Sequence, residues 1–257
     1  MDHLERTRRE FTRQAAGFAA SPATTDQAQV ERLVDALGNA GSGRVLDVAC
    51  GPGIVTAALA ARAREVVALD LTPEMLAMAE DRCRKAGRTN VAFKEGSATS
   101  LPFADQSFGA VVTRLSLHHF PEPPKALAEM FRVLKPGGTL AVADIVCAED
   151  QERAALQNAI ETLRDPSHVR MLPASELVTL MCRPGLSIER QETWDKAREF
   201  EEWAGIVADP ERIAPVRTVV RTLAKAGQDA GMGLSIRDSA IHFFHRWQLI
   251  VARKKSD

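Results

Sequence analysis

The sequence predicts an α/β fold in which helices pack on both faces of a doubly wound, mostly parallel sheet. Strand-like and helix-like stretches alternate along the first half, and the predicted strands are rich in apolar residues, as buried parallel strands are. A glycine-rich turn joins the first predicted strand to a helix. In chain order the predictions are strand 45–48, helix 55–63, strand 66–69, a helix from 72–74 to Gly87, strands 90–94 and 109–115, helix 125–134, a tight turn at 135–138 and strand 139–145.

Local signals support these helices. Thr72 suits the cap position, Pro73 the first turn, and Glu74 places an acid where the helix dipole favours one. The helix at 125–134 has apolar residues along one face. The second half is less regular: its predicted elements are helices 152–163 and 175–182, the latter closed by Pro184 and Gly185, strand 186–194, helices 196–208 and 211–226, and strand 243–252.

Composition indicates one domain. At 257 residues, with 45% hydrophobic residues, the chain supports a sizeable core, and we divide it into an N-terminal helical lid (1–40), a ligand-binding core (41–146) and a C-terminal half with cap helices and the last strands (147–257). The net charge of -1 gives no sign of a nucleic-acid partner, and no apolar segment approaches the ~18 residues of a membrane span.

The cysteines and the N-terminal residues indicate in which cellular compartment the protein is expected. Cys50, Cys83, Cys147 and Cys182 are scattered and form no Cys-x-x-Cys pair, so neither a disulfide framework nor a zinc site is indicated. The N-terminal residues are charged from the second position and contain no apolar signal core. We therefore expect a cytoplasmic protein, and the sequence leaves open whether it forms a homodimer.

The most informative segment is 44–53, together with Asp70. Gly51 and Gly53 lie in the turn after the first predicted strand, where glycine permits a sharp turn and a close approach of ligand to backbone. The second predicted strand delivers Asp70 about 20 residues further on, where an acid can accept both ribose hydroxyls of a nucleoside. The segment predicts a nucleoside pocket at the carboxyl ends of adjacent parallel strands.

The spacing argues against a dinucleotide. Thr56 stands where a dinucleotide fingerprint has its third glycine, and Asp47 would repel a pyrophosphate. S-adenosylmethionine carries an ammonium and a sulfonium and no phosphate, so it suits an acid at this position. A nicotinamide oxidoreductase is the disfavoured alternative.

Several motifs resemble those of class I S-adenosylmethionine-dependent methyltransferases, and most of all the UbiE/YcgJ-like small-molecule enzymes. These motifs are residues 47–53, Leu69-Asp70 with Met75, and segments 96–103, 116–120 and 132–138. The resemblance implies a Rossmann-like, seven-stranded sheet whose last strand is antiparallel. It implies S-adenosylmethionine as the methyl donor, with S-adenosylhomocysteine as the product, and says little about the acceptor.

The resemblance also assigns positions around the cofactor. It places Asp47, Gly51 and Gly53 along the methionyl part, Asp70 at the ribose, Leu71 and Met75 near the adenine, Ser97 and Ala98 at the adenine edge, and Arg114 and Leu115 after the fourth strand. Ala49 replaces the usual first glycine of the loop. Ser97 replaces a common acid and accepts hydrogen bonds more weakly, so we expect modest cofactor affinity.

Three residues are candidates for acid–base chemistry. His118 and His119 follow the fourth strand and Asp144 ends the fifth, all at the carboxyl edge where ligands bind. The pattern resembles that of certain sugar O-methyltransferases, in which the first histidine is the base, so we predict His118 as the base and Asp144 as its partner. The alternative is that both histidines only shape the pocket and that Asp144 is a structural acid.

A loop at 164–170 is the candidate for contact with the acceptor. Arg164, His168 and Arg170 could hold a carboxylate or phenolate, although a surface ion-pair network explains them equally well. His242 and His245 lie three apart on a predicted strand, face opposite sides and cannot share a metal. We therefore expect no metal site.

Together these features predict methyl transfer to a small organic acceptor, most simply at a hydroxyl. An acceptor carbon, as in quinone biosynthesis, is the near alternative and needs no strong base. A protein that binds S-adenosylmethionine without turnover is a second alternative. Neither a nucleic-acid nor a membrane partner is expected.

Overall fold

The computed structural model describes residues 2–183 and 185–256, so Pro184 lies outside the described residues. Within that range the strands are β1 (Arg44–Val48), β2 (Glu65–Asp70), β3 (Val91–Glu95), β4 (Phe108–Arg114), β5 (Leu134–Val146), β6 (Leu186–Glu199), β7 (Ser235–Arg237) and β8 (Ala240–Lys254). The helices are α1 (His3–Ala20), α2 (Gln27–Asp35), α3 (Ile54–Leu59), α4 (Pro73–Lys85), α5 (Pro123–Val133), α6 (Gln151–Arg164), α7 (Ala174–Met181), α8 (Phe200–Gly205) and α9 (Pro210–Lys225).

The strands form one mixed sheet in the order β3-β2-β1-β4-β5-β8-β6, and β7 pairs with β8 beside this path. Strands β1 to β5 are mutually parallel, whereas β8 runs antiparallel to both β5 and β6. The predicted doubly wound α/β fold, including its antiparallel last strand, is confirmed. The three-residue β7 is an eighth strand beyond the expected seven.

Alternate residues of the central strands face two separate apolar layers. Leu46 packs in a cluster with Met130 of α5, whereas its neighbour Val45 packs with Leu33 of α2 on the other face. All four side chains are almost fully buried. Burial of an aliphatic side chain of this size contributes about 1.5–3 kcal/mol, so the two layers hold the parallel strands and the loops at their carboxyl ends in place.

Two elements differ from the prediction. Strand β6 continues to Glu199, although a helix was expected from residue 196, because β8 pairs with β6 along its length as far as Glu199 opposite His242. A tertiary partner here overrides local helix propensity. The tight turn predicted at 135–138 lies inside β5 as an irregularity, since Phe108 pairs with Leu134 and the next pair is Ala110 with Thr139.

Helix α1 lies against the loops at the carboxyl edge of the sheet. His3 Nε2 is 2.9 Å from the carbonyl oxygen of His119, and Arg8 Nε donates to the carbonyl of Leu71 over 3.2 Å. Thr12 Oγ1 donates to Glu74 at the start of α4. These contacts join α1 to the loops after β2 and β4. No helix in the described ranges is both long and apolar enough to cross a membrane.

The packing of α3 against α4 yields a stability prediction. At Gly53, where φ is +75°, an added Cβ would lie 2.6 Å from Ala79 Cα. Gly53→Ala should lower the free energy of unfolding by about 2–4 kcal/mol, because steric overlap adds to the cost of a left-handed backbone.

Gly87→Ala is the matched control, measured by urea denaturation. Gly87 also has a positive φ, of +67°, but an added Cβ there meets no atom within 4 Å. The Gly87→Ala variant should lose only about 1–2 kcal/mol of the free energy of unfolding, because only the left-handed backbone is strained. Equal losses in the two variants would contradict the packing argument.

Candidate active site

A large cavity, here called the main cavity, opens at the carboxyl edge of the sheet beside α1. Its volume is about 1090 Å³, including its open mouth. Ten residues predicted to bind the cofactor line it: Asp47, Ala49, Gly51, Asp70, Leu71, Met75, Ser97, Ala98, Arg114 and Leu115. The pocket predicted from the sequence therefore exists as one continuous space.

Gly53 is the remaining residue predicted to bind the cofactor, and its place in the structure differs from that of the other ten. It does not line the main cavity. Its Cα instead faces α4, and the close approach to Ala79 described above leaves no space for a side chain. The second glycine of the turn thus serves the packing of α3 on α4, a role that glycine spacing alone does not distinguish from ligand contact.

Gly51 and Asp70 form the rigid floor of the turn. Gly51 has φ of +53°, and an added Cβ would meet no atom within 4 Å, so this side of the backbone is open. The Gly51 N–H donates to Asp70 Oδ2 over 2.8 Å, and the Thr72 N–H donates to Oδ1 over 2.9 Å. Burial raises the pKa of Asp70, while these backbone donors oppose the rise. The carboxylate is fixed in place and retains lone pairs that can accept hydroxyl groups.

Two non-glycine residues of the main cavity have left-handed backbones. Ala49, after β1, has φ of +56°, and Leu115, after β4, has φ of +54°. Such a conformation costs roughly 1–2 kcal/mol in a residue with a side chain. The positive φ at Ala49 is a conformation that glycine adopts without steric cost. Both strained residues lie where the chain leaves the sheet to form the cavity wall.

Asp47 and Arg114 place opposite charges in the main cavity. Asp47 is 2% exposed and accepts a 2.6 Å hydrogen bond from Thr56 Oγ1, and burial raises its pKa to about 7. Arg114 Nη2 donates to the carbonyl of Thr24, whereas its buried Nη1 finds no partner among the described residues. Burial lowers the pKa of Arg114 to about 10. Both charges are incompletely compensated, which suits a zwitterionic ligand with an ammonium and a carboxylate.

A second cavity adjoins the main one. It measures about 540 Å³ including its opening, and shares Phe18, Thr24, Leu115 and His119 with the main cavity. Its remaining lining comes from the loop after α1, the turn after β4, β5, α6, the loop at 165–168, β6, α8 with the residue that follows it, and β8. Two ligands, one in each cavity, would therefore be separated only by the few side chains that both cavities share.

His118 and Asp144 form a buried pair beside the second cavity. His118 Nδ1 lies 2.6 Å from Asp144 Oδ1, and Asp144 Oδ2 accepts the N–H of Leu117 over 2.6 Å. Burial opposes a charge on His118, but the charge and hydrogen bond of Asp144 raise the pKa of the imidazole above its usual value. Burial likewise opposes the Asp144 charge, yet His118 and backbone donors lower the pKa of this carboxyl. His118 lines the second cavity and not the main one.

His119 has different surroundings. It lines both cavities, and its Nδ1 lies 3.2 Å from Ser167 Oγ, which donates to Asp165 Oδ1 over 2.6 Å. Burial and the neighbouring His118 lower the pKa of His119 to about 3. The ring is neutral at physiological pH and is a much weaker base than His118. Sequence analysis did not single out Ser167, although it lies within the 164–170 segment.

Two of the three predicted acceptor residues reach the second cavity. Arg164 lines it, but its guanidinium is committed to Glu161 Oε2 at 3.4 Å and to the carbonyl of Trp203. His168 lines it and lies 2.9 Å from Asn158 Oδ1, and burial lowers its pKa to about 4. Arg170 lines neither cavity and pairs with Glu176 near the surface, so its contact with the acceptor stays a prediction.

Other lining residues of the second cavity were missed. Trp203, Trp247 and His245 come from α8 and β8, far along the chain, and His245 Nε2 lies 3.0 Å from Glu161 Oε1. His242 lies on the opposite face of β8, as the spacing predicted. In the described part of the chain, no three His, Cys, Asp or Glu side chains are grouped to hold a metal ion.

The fold and the site together define a Rossmann-like methyltransferase of class I. The sheet order places the acids Asp47 and Asp70 in one cavity at its carboxyl edge. The turn lacks the third glycine of a dinucleotide site, since Thr56 occupies that place.

Comparison with known proteins gives the family. The family model described as a methyltransferase domain matches residues 46–142. The chain is 34% identical over 172 residues to the uncharacterized methyltransferase YcgJ of Bacillus subtilis, covering 66% of this chain and 68% of that protein. It is 47% identical over 112 residues to a demethylmenaquinone methyltransferase of Renibacterium salmoninarum, covering 44% and 45% respectively.

Solved structures agree. The crystal structure of YcgJ matches with a TM-score of 0.82 at 27% identity, covering 90% of this chain and 100% of that one. A methyltransferase structure from Bacillus halodurans, described as putative, also gives 0.82, at 28% identity over 89% and 100%. The chain belongs to the methyltransferase-domain family and is an S-adenosylmethionine-dependent enzyme of that class.

The buried Asp47 leads to a prediction for the ligand-free protein. Its folded pKa of about 7 exceeds the usual 3.8, so deprotonation costs stability progressively as pH rises between these values. Asp47→Asn should therefore raise the free energy of unfolding by about 2–4 kcal/mol at pH ~8 and by little at pH ~4.

Chemical denaturation at both pH values measures this difference. Asp238→Asn is the control, because Asp238 is exposed and its carboxylate already lies in water. The control should change stability equally little at both pH values. If the free energy of unfolding that Asp47→Asn adds were the same at both pH values, the buried-charge interpretation would be contradicted.

Proposed function

We propose that this enzyme methylates a hydroxyl group of a small molecule, with His118 as the general base. The observation that carries the proposal is the buried His118–Asp144 pair, 2.6 Å apart, beside a cavity that adjoins the main one. A hydroxyl is a poor nucleophile until its proton is removed, so a positioned base is the feature that this reaction requires.

The main cavity suits S-adenosylmethionine on three counts. Asp47 would bind the ammonium and Arg114, through its unpartnered Nη1, the carboxylate of the methionyl end. Asp70 would accept the ribose hydroxyls while the Gly51 and Thr72 N–H groups hold its carboxylate in place. The open side of Gly51 gives a ligand close access to the backbone.

The proposed reaction combines methyl transfer with the transfer of one proton from the acceptor to His118. S-adenosylmethionine would supply a methyl group that its positively charged sulfonium activates. Loss of the methyl group leaves a neutral thioether. In the neutral ring, His118 Nδ1–H donates to Asp144 and Nε2 receives the acceptor's hydroxyl proton. Asp144 remains ionised and stabilises the imidazolium that forms. The rest of the catalysis is positioning of the two reactants.

The acceptor class and the location are further parts of the proposal. The second cavity measures only about 540 Å³ including its opening, which favours a small molecule over a protein or nucleic acid. The four cysteines are free thiols, and three of them are buried, which supports a cytoplasmic enzyme.

The proposal is tested by incubating the pure protein with methyl-labelled S-adenosylmethionine and a fractionated extract of its native cells. Label should appear in the small-molecule fraction as a methyl ether. Label on carbon would overturn the hydroxyl assignment, and label in protein or nucleic acid would overturn the acceptor class.

A His118→Ala variant tests the base. Its turnover should fall roughly 10²–10⁴-fold, while its affinity for S-adenosylmethionine stays unchanged because His118 does not line the main cavity. His242→Ala is the control, since His242 lies on the other face of β8 and lines neither cavity.

The pH dependence of kcat/KM provides an independent test. Only neutral His118 accepts a proton, and its pKa is raised, so the rate should rise with pH and level off above a midpoint higher than 6.5. The residual rate of His118→Ala should lack this limb. An unchanged turnover with an unchanged profile would rule out His118 as the base.

A further inference from the structure

We infer that the second cavity binds a neutral, polyhydroxylated acceptor, of the class of sugars and cyclitols. The inference rests on the proposed function, because it takes the second cavity as the acceptor site. It deepens that function by naming the chemistry that the lining recognises.

Three lining residues carry a buried polar atom that has neither a hydrogen-bond partner nor an ion-pair partner in the described chain. These atoms are Trp203 Nε1, Trp247 Nε1 and Asp165 Oδ2. The three residues are at most 3% exposed. A buried polar group left unpaired costs about 1–3 kcal/mol, so three such groups around one cavity indicate that a ligand completes their hydrogen bonds.

The three atoms differ in hydrogen-bonding type. The two indole N–H groups only donate, whereas the Asp165 carboxylate only accepts. A hydroxyl group both donates and accepts, and a compound with several hydroxyls can meet all three groups at once. A hydrocarbon or a plain quinone ring offers no donor for Asp165.

The charges of the cavity argue against an anionic acceptor. Arg164 is already paired with Glu161, and Arg198 donates to Glu202 over 2.8 Å and to His245 Nδ1 over 3.1 Å. Glu161 and Asp165 add two carboxylates to the same lining. No arginine of this lining is left without a carboxylate partner, so a carboxylate or phosphate on the acceptor would lack a counter-ion.

The catalytic pair agrees with this acceptor class. Alcohol hydroxyls of a polyol are far less acidic than phenols, and their methylation depends most strongly on a positioned base. His118 lies in the same lining as Trp203 and Asp165, and its ring centroid is 5.8 Å from that of His168. A hydroxyl held by the indole and carboxylate groups therefore lies within the cavity that the base also lines.

A defined panel of acceptors tests the inference with labelled S-adenosylmethionine. The panel contains methyl α-glucopyranoside, methyl α-rhamnopyranoside and myo-inositol as polyols, phenol as a neutral aromatic hydroxyl, and 4-hydroxybenzoate as an anionic one. We expect methyl-ether formation on at least one polyol and none on 4-hydroxybenzoate. Transfer to phenol or 4-hydroxybenzoate alone would overturn the polyol inference while leaving hydroxyl methylation intact.

Absence of transfer to every polyol, with S-adenosylmethionine binding shown by calorimetry, would also overturn the inference. The extract experiment then decides the proposed function separately, because it does not presuppose an acceptor class.

Variants locate the acceptor in the cavity. Trp203→Phe should raise KM for the methylated polyol about 3–10-fold and Asp165→Asn about 10–100-fold, through loss of one neutral or one charged hydrogen bond. Affinity for S-adenosylmethionine should not change. Trp247→Phe removes the second indole N–H and tests the same hydrogen bonding if Trp203→Phe does not fold.

Trp194→Phe is the matched control. Its buried Nε1 also lacks a partner among the described residues, and its ring stacks on Trp247 at 5.9 Å, but it lies outside the cavity lining. Its KM should stay within about twofold of the parent enzyme. Equal KM values for the parent, Trp203→Phe and Asp165→Asn would place the acceptor elsewhere.

Discussion

The Asp144 carboxylate is the interaction on which the arrangement of the two cavities depends. Its Oδ2 accepts the N–H groups of Ser116 and Leu117, and its Oδ1 accepts that of Ile145 and contacts His118. A buried carboxylate is costly unless its lone pairs are filled, and here four donors fill them. The end of β5 thereby fixes the loop after β4, which carries both Leu115 of the main cavity and His118 of the second.

Four residues of the main cavity are held in charge states or backbone conformations that destabilise the ligand-free protein. Asp47 and Arg114 are buried charges with incomplete compensation, and Ala49 and Leu115 hold left-handed backbones. Each of these features costs free energy in the absence of a ligand, and each lies along one cavity wall. The core layers on both faces of the sheet offset this loss of stability.

The sequence was most informative where structure is local. The turn at 47–53 and the acid at Asp70 follow from strand–turn–helix geometry, which short-range patterns encode, and the main cavity has the expected lining. The cofactor contact of Gly53 stays a prediction, because close helix packing and ligand contact demand the same residue.

The second cavity could not be predicted in the same way. Trp203, His245 and Trp247 reach it only because β8 inserts between β5 and β6, a long-range pairing with no local signal. The same pairing extended β6 through residues 196–199, where local propensity favoured a helix. Arg170 lies outside both cavities, and its distance from Arg164 in sequence could not show the direction in which the loop turns.

The position of β8 has a consequence for biosynthesis. Strands β1 to β5 are parallel neighbours that precede β6 to β8 in the chain, and they and the loops that follow them supply most of the lining of the main cavity. Strand β8 follows every other strand and helix in chain order, yet it separates β5 from β6 and supplies His245 and Trp247. In a nascent chain the segments that line the main cavity therefore come first, and the second cavity closes only when the last strand has been synthesised.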